Sequence, residues 1–550
     1  METLRRIKKI MAHYLNGGSP IHSIGGAALV VAIAGIASRI LGLVRDRVLA
    51  STFGAGDVLD VYYAAFRIPD LVFDLLVLGA LGAAFVPVFM QLMEKQKMKE
   101  AWELASGILT LLIVIVMGVS VLFMIFAPSL MHIIVPGFTR EKLELTTLLT
   151  RIMFLSPLFL GISAVFGGIL ISFKRFLIYS LAPLMYNVGI IIGALFFVDF
   201  FGPVGLAWGV VFGAFLHMLA HYPAARHTGF SYTPLLRRAI GNPHVRRVMK
   251  LMVPRILGSS SSQLGFLVIA FFTSTLASGS LTVFMFANNI QSVVLGLIGV
   301  PFALAAFPML SELRAKESET EFVALVSKTL RRILFYVIPA SVFFIIFRAQ
   351  IVRVVLGSGS FDWEDTILTF QVLGFLAVSL FAQSSIPLLA RTFYAMQDTK
   401  TPFYIALGSQ IVNVIAVMAL ITRFDVIGVA IAFSFSSIVN MGFLLFFLKK
   451  KLHTLDGRHI MSSTLGIILA TSVAAIVAQS VKYVTGTVVE LETFVAVFSQ
   501  LVIAGGAGVV TYLFISAYLS IEEFYTIRNK FFLRVFGKTA VIAEEQKKIE

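Results

Sequence analysis

Charged side chains lie inside apolar stretches of this 550-residue chain. The stretch AGIASRILGLVRDRVLASTFGAG, residues 34–56, follows an apolar run and carries Arg39 and Arg45. An unpaired cation in a membrane span costs roughly 2.5–3.5 kcal/mol, so such residues normally face a protein interior or a watery cavity. Guanidinium stays charged and binds phosphate bidentately, which predicts a site for a phosphate-bearing anion. The predicted substrate-binding arginines are Arg39, Arg45, Arg67 and Arg255.

Acidic and amide side chains accompany these arginines. Arg67 precedes Asp70 by three residues, and Asp74 follows Asp70 by four, which predicts that the three share one helix face. The four carboxylates predicted to line the cavity are Asp46, Asp60, Asp70 and Asp74. The two amides predicted to bind the substrate are Gln263 and Asn289.

Structural roles for these residues stay open at the level of sequence. Arg39 could pair with an aspartate of the next span and only lock two helices together, and Arg255 could extend to the membrane surface. Arg45, Asp46 and Asp60 could be interfacial groups in water. Asn289 could join neighbouring helices by hydrogen bonds.

The composition identifies the elements that must position these side chains. Hydrophobic residues make up 58% of the chain and charged residues 13%, and the mean hydropathy is +0.93. Soluble domains contain about 25% charged residues, so we predict an integral membrane protein. Its apolar runs give about fourteen spans, which predicts helices rather than a barrel. Because the chain has no cysteine, disulfides and thiolate metal sites are excluded.

The net charge of +15 follows a topological pattern. Alternate gaps between the predicted spans hold the basic residues, whereas gaps such as ASGS at 277–280 hold none. By the positive-inside rule this asymmetry places both termini in the cytoplasm, and it argues against nucleic-acid binding. Residues 1–22 are predicted to form a cytoplasmic interfacial segment rather than a signal peptide. Residues 521–550 are predicted to form a basic cytoplasmic tail.

An internal repeat organises the spans. The segment from Ser51 resembles the segment from Ser274, and Ala65 matches Ala287 at an offset of about 222 residues. Parallel repeats of about six spans are typical of transporters, in which the substrate site lies between the two halves. The predicted domains are an N-lobe of spans 1–6 at 23–228, a C-lobe of spans 7–12 at 229–452 and two added spans at 453–520.

Prolines and glycines interrupt the polar spans of both repeats. Such breaks let a helix bend while neighbouring helices satisfy the freed backbone groups, and alternating access needs that compliance. The predicted hinge residues are Pro69, Gly79, Pro254, Gly258 and Pro301.

Five motifs resemble the MurJ (MviN) family of lipid II flippases, which belongs to the multidrug/oligosaccharidyl-lipid/polysaccharide (MOP) exporter superfamily. They are SRILGLVRD, FGAGDVLDVYYAAFRIPDL, GALGAAFVPVF, LASGS with FMFANNIQ, and FYAMQDTKTP, in order across spans 1–11. The resemblance implies two six-helix lobes forming a V, related by a pseudo-two-fold axis, with spans 13 and 14 making a groove for the lipid tail. It also implies functional importance for Arg39, Arg45 and Asp60.

The chain departs from the family pattern at three positions. Phe73 and Asn289 stand where the best-known pattern has further arginines, and Leu78 replaces an acidic residue. We expect Arg67 and Arg255 to supply the missing charge, and the substrate could be a variant lipid-linked precursor.

The resemblance implies a flippase, not an enzyme, that moves undecaprenyl-diphosphate-linked disaccharide-peptide, called lipid II, from the inner to the outer leaflet by alternating access. Another exporter of the superfamily, for oligosaccharide lipids or for drugs exchanged against cations, stays open as an alternative. A membrane enzyme acting on the same lipid would need catalytic carboxylates or a metal-spaced histidine cluster, and the nine histidines are scattered. A non-transporting scaffold is a further alternative.

No cofactor is expected, and coupling to the membrane potential or to a monovalent cation stays open. The expected partners are the lipid-linked precursor, membrane lipids and the cell-wall synthesis machinery. The expected location is the bacterial cytoplasmic (inner) membrane.

Overall fold

The structure, a computed structural model, describes residues 24–78, 81–234, 236–488, 490, 493–526 and 528. These residues form helices joined by turns and loops, with no strand. The predicted interfacial segment 1–22 and residues 529–550 of the predicted tail lie outside the described residues. The chain forms two compact units, one of residues 1–286 and 355–365 and the other of residues 287–354 and 366–550.

The first unit contains helices that range from 4 to 37 residues in length. They are α1 (Ile24–Phe53), α2 (Asp57–Ala65), α3 (Arg67–Phe73), α4 (Leu81–Glu94), α5 (Met98–Ile134), α6 (Arg140–Met153), α7 (Leu155–Ser172), α8 (Phe176–Ile192), α9 (Val198–Phe201), α10 (Val204–His227), α11 (Leu236–Gly241), α12 (Pro243–Ser274) and the first half of α13 (Ser280–Val294). Two π-helical turns, Asp74–Leu78 and Gly193–Phe197, interrupt these helices.

The second unit begins within α13. Its further helices are α14 (Val300–Ala315), α15 (Glu319–Ile346), α16 (Arg348–Val355), α17 (Trp363–Val378), α18 (Leu380–Ala395), α19 (Lys400–Leu452), α20 (Gly457–Val488) and α21 (Phe494–Tyr518). A π-helical turn at Leu295–Gly299 precedes α14.

The predicted all-helical membrane class is confirmed. Among the described residues nine helices are long and apolar enough to cross a membrane, or ten if α17 and α18, bent by 46°, form one span. Other predicted spans fall on α1, on the interrupted run α2–α4 and on α12. The helix α19 covers two predicted spans and is kinked at Asp425, where φ is 47° and ψ is −132°. The total of about fourteen spans stays a prediction.

The helix boundaries follow the internal repeat. The helices α2 and α13 begin at Asp57 and Ser280, and α5 and α15 begin at Met98 and Glu319, so both pairs keep the spacing of the sequence repeat. The π-helical turns at 74–78 and 295–299 keep the same spacing. The compact units divide the chain after residue 286 and the predicted lobes divide it after residue 228. The two lobes, which were inferred from the sequence repeat, therefore stay a prediction.

Close helix packing holds α8 and α10 together in the first unit. Gly189 of α8 lies against Gly213 of α10, and a Cβ added at Gly189 would overlap the Gly213 backbone. Small residues let helix backbones approach closely in lipid, where burial of apolar surface between helices provides little driving force. This contact fixes α8, which carries part of the candidate site described below.

The second unit has its own apolar core. Phe322, Phe335 and Phe393 are buried in it. The added pair of helices α20 and α21 joins this core, because the Tyr512 hydroxyl on α21 donates to the Phe335 carbonyl oxygen at 2.7 Å. The buried hydroxyl is thereby satisfied, as an apolar surrounding requires.

Candidate substrate-binding site

Arg45 lies on α1, a helix that runs without a break from Ile24 to Phe53. Its Nε and Nη2 donate to Asp46 Oδ1 at 3.0 and 2.7 Å, and its Nη1 donates to Asn187 Oδ1 at 3.1 Å. Asp46 is 1% exposed. The charge of Arg45 is therefore balanced by its neighbour, and the pair joins α1 to α8 through Asn187.

Asn187 is a residue that the sequence analysis missed. It accepts from Arg45 and donates from Nδ2 to the Pro183 carbonyl oxygen at 3.2 Å. Its position in the middle of an apolar span could have identified it, because a polar side chain inside a membrane protein usually pairs with another polar group. Arg39, six residues before Arg45 on the same helix, is half-buried.

Arg67 also lies in the first unit but has different surroundings. It is 6% exposed, and its Nε donates to the Tyr63 carbonyl oxygen at 2.9 Å. Its guanidinium lies over the ring of Phe266, 5.4 Å from the ring centroid. The Asp70 carboxylate acts on it electrostatically, but within the described part of the chain no carboxylate forms an ion pair with Arg67. The structure therefore holds a buried, unbridged cation where α2 gives way to α3.

The carboxylates of the second predicted span lie at the break in that span. Asp74 starts the π-helical turn and accepts a hydrogen bond from Gln263 Nε2 of α12. Asp70 lies one turn earlier, and the charges of Arg67, Asp74 and Arg45 act on it. The structure thus brings together Asp74 and Gln263, two residues that the sequence placed in the candidate site from separate spans.

Asp60 is held by backbone and side-chain donors of α13. It is 2% exposed and accepts from Gly279 N at 2.7 Å, Thr282 N at 2.9 Å and Thr282 Oγ1 at 2.7 Å. A carboxylate at a helix N-terminus satisfies amide groups that have no partner within the helix. Asp60 therefore accepts three hydrogen bonds from residues of the second repeat. The sequence did not predict this contact.

Neighbouring loop residues form a cluster around Asp60, which we call the loop cluster (residues 51–60, 278–282 and 360–365). Burial alone would raise the pKa of Asp57, but hydrogen bonds from Lys142 and Ser278 bring that pKa below its usual value. Ala55 N donates to Asp365 Oδ2 at 2.8 Å. Gly54 has a φ of +64°, a backbone conformation that glycine adopts readily. The segments of the loop cluster contain no lysine or arginine, unlike the gaps that the sequence predicts to be cytoplasmic.

Of the remaining predicted residues, Asn289 and Pro301 lie in the second unit, Pro69 lies in the first, and the others lack a described side chain. Asn289 is half-buried on α13, and its carbonyl oxygen accepts from Ser292 Oγ at 2.7 Å. Pro301 is exposed at the start of α14, directly after a π-helical turn. The side chains of Arg255, Pro254 and Gly258 and the residue Gly79 lie outside the described set. Pro69 is buried in α3, two residues after Arg67.

The described side chains offer anion binding rather than metal chemistry. No group of three or more histidine, aspartate or glutamate residues in the described ranges could hold a metal ion. Arg67 offers guanidinium donors that no described carboxylate pairs, whereas the Arg45 guanidinium is bound by Asp46 and Asn187. Such groups bind phosphate oxygens by charge-assisted hydrogen bonds.

Comparisons with known proteins agree on one family. The family model described as "Lipid II flippase MurJ" matches residues 49–498. A probable lipid II flippase MurJ of Buchnera aphidicola subsp. Acyrthosiphon pisum (strain APS) is 30% identical over 500 residues, which cover 90% of this chain and 96% of that protein.

Two solved structures share the fold. A lipid II flippase MurJ in an inward closed conformation matches with a TM-score of 0.72 and 24% identity, covering 89% of this chain and 98% of that chain. An inward-facing multidrug resistance MATE transporter of the MOP superfamily matches with a TM-score of 0.63 and 16% identity, covering 78% of this chain and 99% of that chain. At these identities the likeness concerns the fold alone.

Proposed function

This chain belongs to the MurJ family of lipid II flippases, and we propose on that premise that it moves lipid II from the inner to the outer leaflet of the cytoplasmic membrane. It is a multi-pass membrane protein of a transporter family and not an enzyme. We also propose that both termini lie in the cytoplasm, because the basic residues occupy alternate gaps between spans.

The buried guanidinium of Arg67 is the observation that carries the site proposal. A cation without an ion-paired carboxylate is costly in a membrane protein unless an anion arrives to balance it. The diphosphate of the lipid-linked precursor is such an anion, and arginine binds phosphate through two parallel hydrogen bonds. Arg67 therefore takes the diphosphate first, and Arg39 and Arg255 are proposed to add donors.

Arg45 is proposed to exchange partners during transport. In the structure it is bound by Asp46 and Asn187. A phosphate oxygen that competes with Asn187 for the Arg45 guanidinium would weaken the contact between α1 and α8 and so favour another conformation. A ligand shifts a conformational equilibrium only by its different affinity for the two states, and this exchange supplies such a difference. Asp70, Asp74, Gln263 and Asn289 are proposed to contact the polar headgroup.

Helix bending is proposed to occur at the breaks in the repeated spans. The π-helical turns at 74–78 and 295–299 occupy equivalent places in the two repeats, and Pro69 and Pro301 lie beside them. π-helical turns and prolines are common sites of helix kinks because the backbone ladder is already interrupted there. The proposed hinges also include Gly79, Pro254 and Gly258.

The remaining parts of the assignment rest on the family. The two added spans at 453–520 are proposed to accommodate the polyprenyl chain, and the cell-wall synthesis machinery is a proposed partner. The MATE-like fold does not favour a drug exporter, because the family assignment rests on sequence across most of the chain.

The test is complementation of a bacterium depleted of its own lipid II flippase, combined with an assay of lipid II headgroup accessibility at the outer leaflet. We expect Arg67→Ala to lower translocation about tenfold or more, since an arginine–phosphate contact contributes on the order of 1.5–3 kcal/mol. Arg45→Ala should reduce translocation as well, whereas Arg45→Lys should retain part of it.

Arg140→Ala is the matched control, because Arg140 forms an exposed pair with Glu144 at 2.9 Å and should leave translocation unchanged. Normal headgroup exposure by Arg67→Ala at wild-type protein levels would refute the proposed site. Failure of the wild-type chain to complement, with protein present in the membrane, would refute the function itself.

A further inference from the structure

The junction between α19 and α20 contains a cavity outside the candidate substrate site. The connection at 453–456 reverses the chain sharply, with positive φ at His453 (54°) and Asp456 (50°). This reversal brings the last turn of α19 beside the first turn of α20. A cavity of about 650 Å³ lies there, lined by Lys449, Leu455, Gly457, Arg458, Met461, Ser462 and Leu465.

Two cations line this cavity, Lys449 and Arg458. Within the described part of the chain, neither Lys449 nor Arg458 forms an ion pair or a side-chain hydrogen bond. The adjacent Lys451 differs, because its Nζ donates to Asp398 Oδ2 at 2.8 Å. The cavity therefore presents two unbalanced positive charges and the hydroxyl of Ser462.

The carboxylates near the junction already have other partners. Asp456 accepts from Ser327 Oγ at 2.9 Å. Glu522 accepts from Arg331 Nη1 at 2.8 Å, and Glu523 accepts from the same Arg331 and from Ser463 Oγ at 2.9 Å. None of these described acids therefore pairs with Lys449 or Arg458.

An apolar face continues from the cavity along α20. Met461 is 60% exposed, Leu465 58% and Leu469 55%. The helix is long and apolar enough to span a membrane, so these side chains lie against lipid. Charge at the end of a span and an apolar face below it match an amphiphile with an anionic headgroup and hydrocarbon chains.

We propose that the α19–α20 cavity binds the phosphate headgroup of an anionic membrane phospholipid, held by Lys449, Arg458 and Ser462, with its acyl chain along Met461, Leu465 and Leu469. Basic pockets between membrane helices bind phospholipid headgroups in this manner. The site is separate from Arg39, Arg45 and Arg67, which belong to the other compact unit. A bound lipid would fix the position of α20 relative to α19.

The test measures phospholipid binding to the purified full-length protein by native mass spectrometry. The probes are phosphatidylglycerol, phosphatidylcholine, undecaprenyl diphosphate and inorganic phosphate. We expect the double variant Lys449→Gln/Arg458→Gln to weaken phosphatidylglycerol binding roughly tenfold to thirtyfold, at about 1 kcal/mol per cation. Lys449→Gln alone should weaken binding about fivefold, and Lys450→Gln is its matched control, because it removes the same single charge one residue away and does not line the cavity.

Three further results check the ligand class. Binding of phosphatidylcholine should be weak and should not change in the double variant, and Leu465→Asn should weaken phosphatidylglycerol binding while leaving any binding of inorganic phosphate unchanged. The proposal is overturned if Lys450→Gln weakens binding as much as Lys449→Gln, since that result indicates diffuse surface charge. The proposal is also overturned if the double variant loses binding of undecaprenyl diphosphate or inorganic phosphate but binds phosphatidylglycerol normally. Because the altered side chains are exposed, we expect all variants to fold, and Arg458→Lys should retain binding.

Discussion

Arg45 and Arg67 are the same residue type in one compact unit, and the structure gives them different electrostatic surroundings. Arg45 donates three hydrogen bonds, two of them to Asp46. Arg67 donates to a backbone carbonyl and lies over an aromatic ring. The free energy of binding an anion is greater where no counter-ion must first be displaced, so Arg67 is the stronger candidate for the first phosphate contact.

Asp60 gives a prediction about stability. Asp60→Asn keeps one acceptor oxygen but turns an amide NH₂ toward the donors of Gly279 and Thr282, so at least one buried donor loses its partner. We expect a loss of about 1–3 kcal/mol in the free energy of unfolding, measured by thermal or denaturant unfolding in detergent.

Asp57→Asn is the matched control for Asp60→Asn. Asp57 belongs to the same loop cluster, but its side chain is 56% exposed and its partner is Lys142. Exposed pairs contribute less than about 1 kcal/mol, so this change should be small. Equal losses for the two variants would contradict the assignment of Asp60 as a buried cap of α13.

Helix interruptions and close helix contacts have separate places in this protein. The repeated π-helical turns lie in the spans that carry Arg67 and Asn289, where we propose bending. The α8–α10 contact, in contrast, is made by glycines whose backbones touch. One set of elements is suited to bending, and the other forms a rigid support for Asn187.

Gly189→Ala tests the rigid support. The added methyl group would overlap the backbone of Gly213, so α8 and α10 must separate. Overpacking of this kind costs about 1–3 kcal/mol, and we expect a lower midpoint of thermal unfolding in detergent.

Gly118→Ala on α5 is the control, because a Cβ there meets no atom within 4 Å. Alanine is a better helix former than glycine, so this variant should be unchanged or more stable by up to about 1 kcal/mol. A destabilisation of Gly118→Ala equal to that of Gly189→Ala would show that the contact is not the cause.

The loop cluster connects segments far apart in the sequence and bears on transport as a whole. Residues 51–60 contact residues 278–282 and 360–365 through Asp57, Asp60 and Ala55. With both termini in the cytoplasm, as we propose from the positive-inside pattern, these loops would lie on the outer face. If the substrate leaves on that side, these contacts must break in each cycle.

A cross-link tests this requirement. The chain has no cysteine, so the double variant Asp57→Cys/Ser278→Cys would hold the only two thiols, at positions whose side chains touch. We expect oxidation to abolish lipid II exposure at the outer leaflet and a reductant to restore it. Each single variant should be insensitive to oxidant. Normal transport by the fully oxidised protein would show that the loop cluster stays closed throughout the cycle.

Much of the fold could be predicted from residues alone. The apolar spans, the internal repeat and the unusual positions of Arg39 and Arg67 are local properties of the sequence. They are determined locally because a helix in lipid satisfies its own backbone and because a charge in a span has a large cost wherever it occurs. The motifs from residues 38 to 402 were enough to indicate the family.

The tertiary structure decided which of these side chains already have a hydrogen-bond or ion-pair partner. Asn187 lies far along the chain from Arg45, Gln263 lies far from Asp74, and the donors that hold Asp60 belong to the second repeat. The sequence shows which polar groups would be costly to bury in a membrane. The packing of helices from distant parts of the chain determines which partner offsets that cost. The sequence by itself therefore determined that arginines enter the membrane region. Only the packing decided that, among the described residues, Arg45 has a carboxylate partner and Arg67 has none in an ion pair.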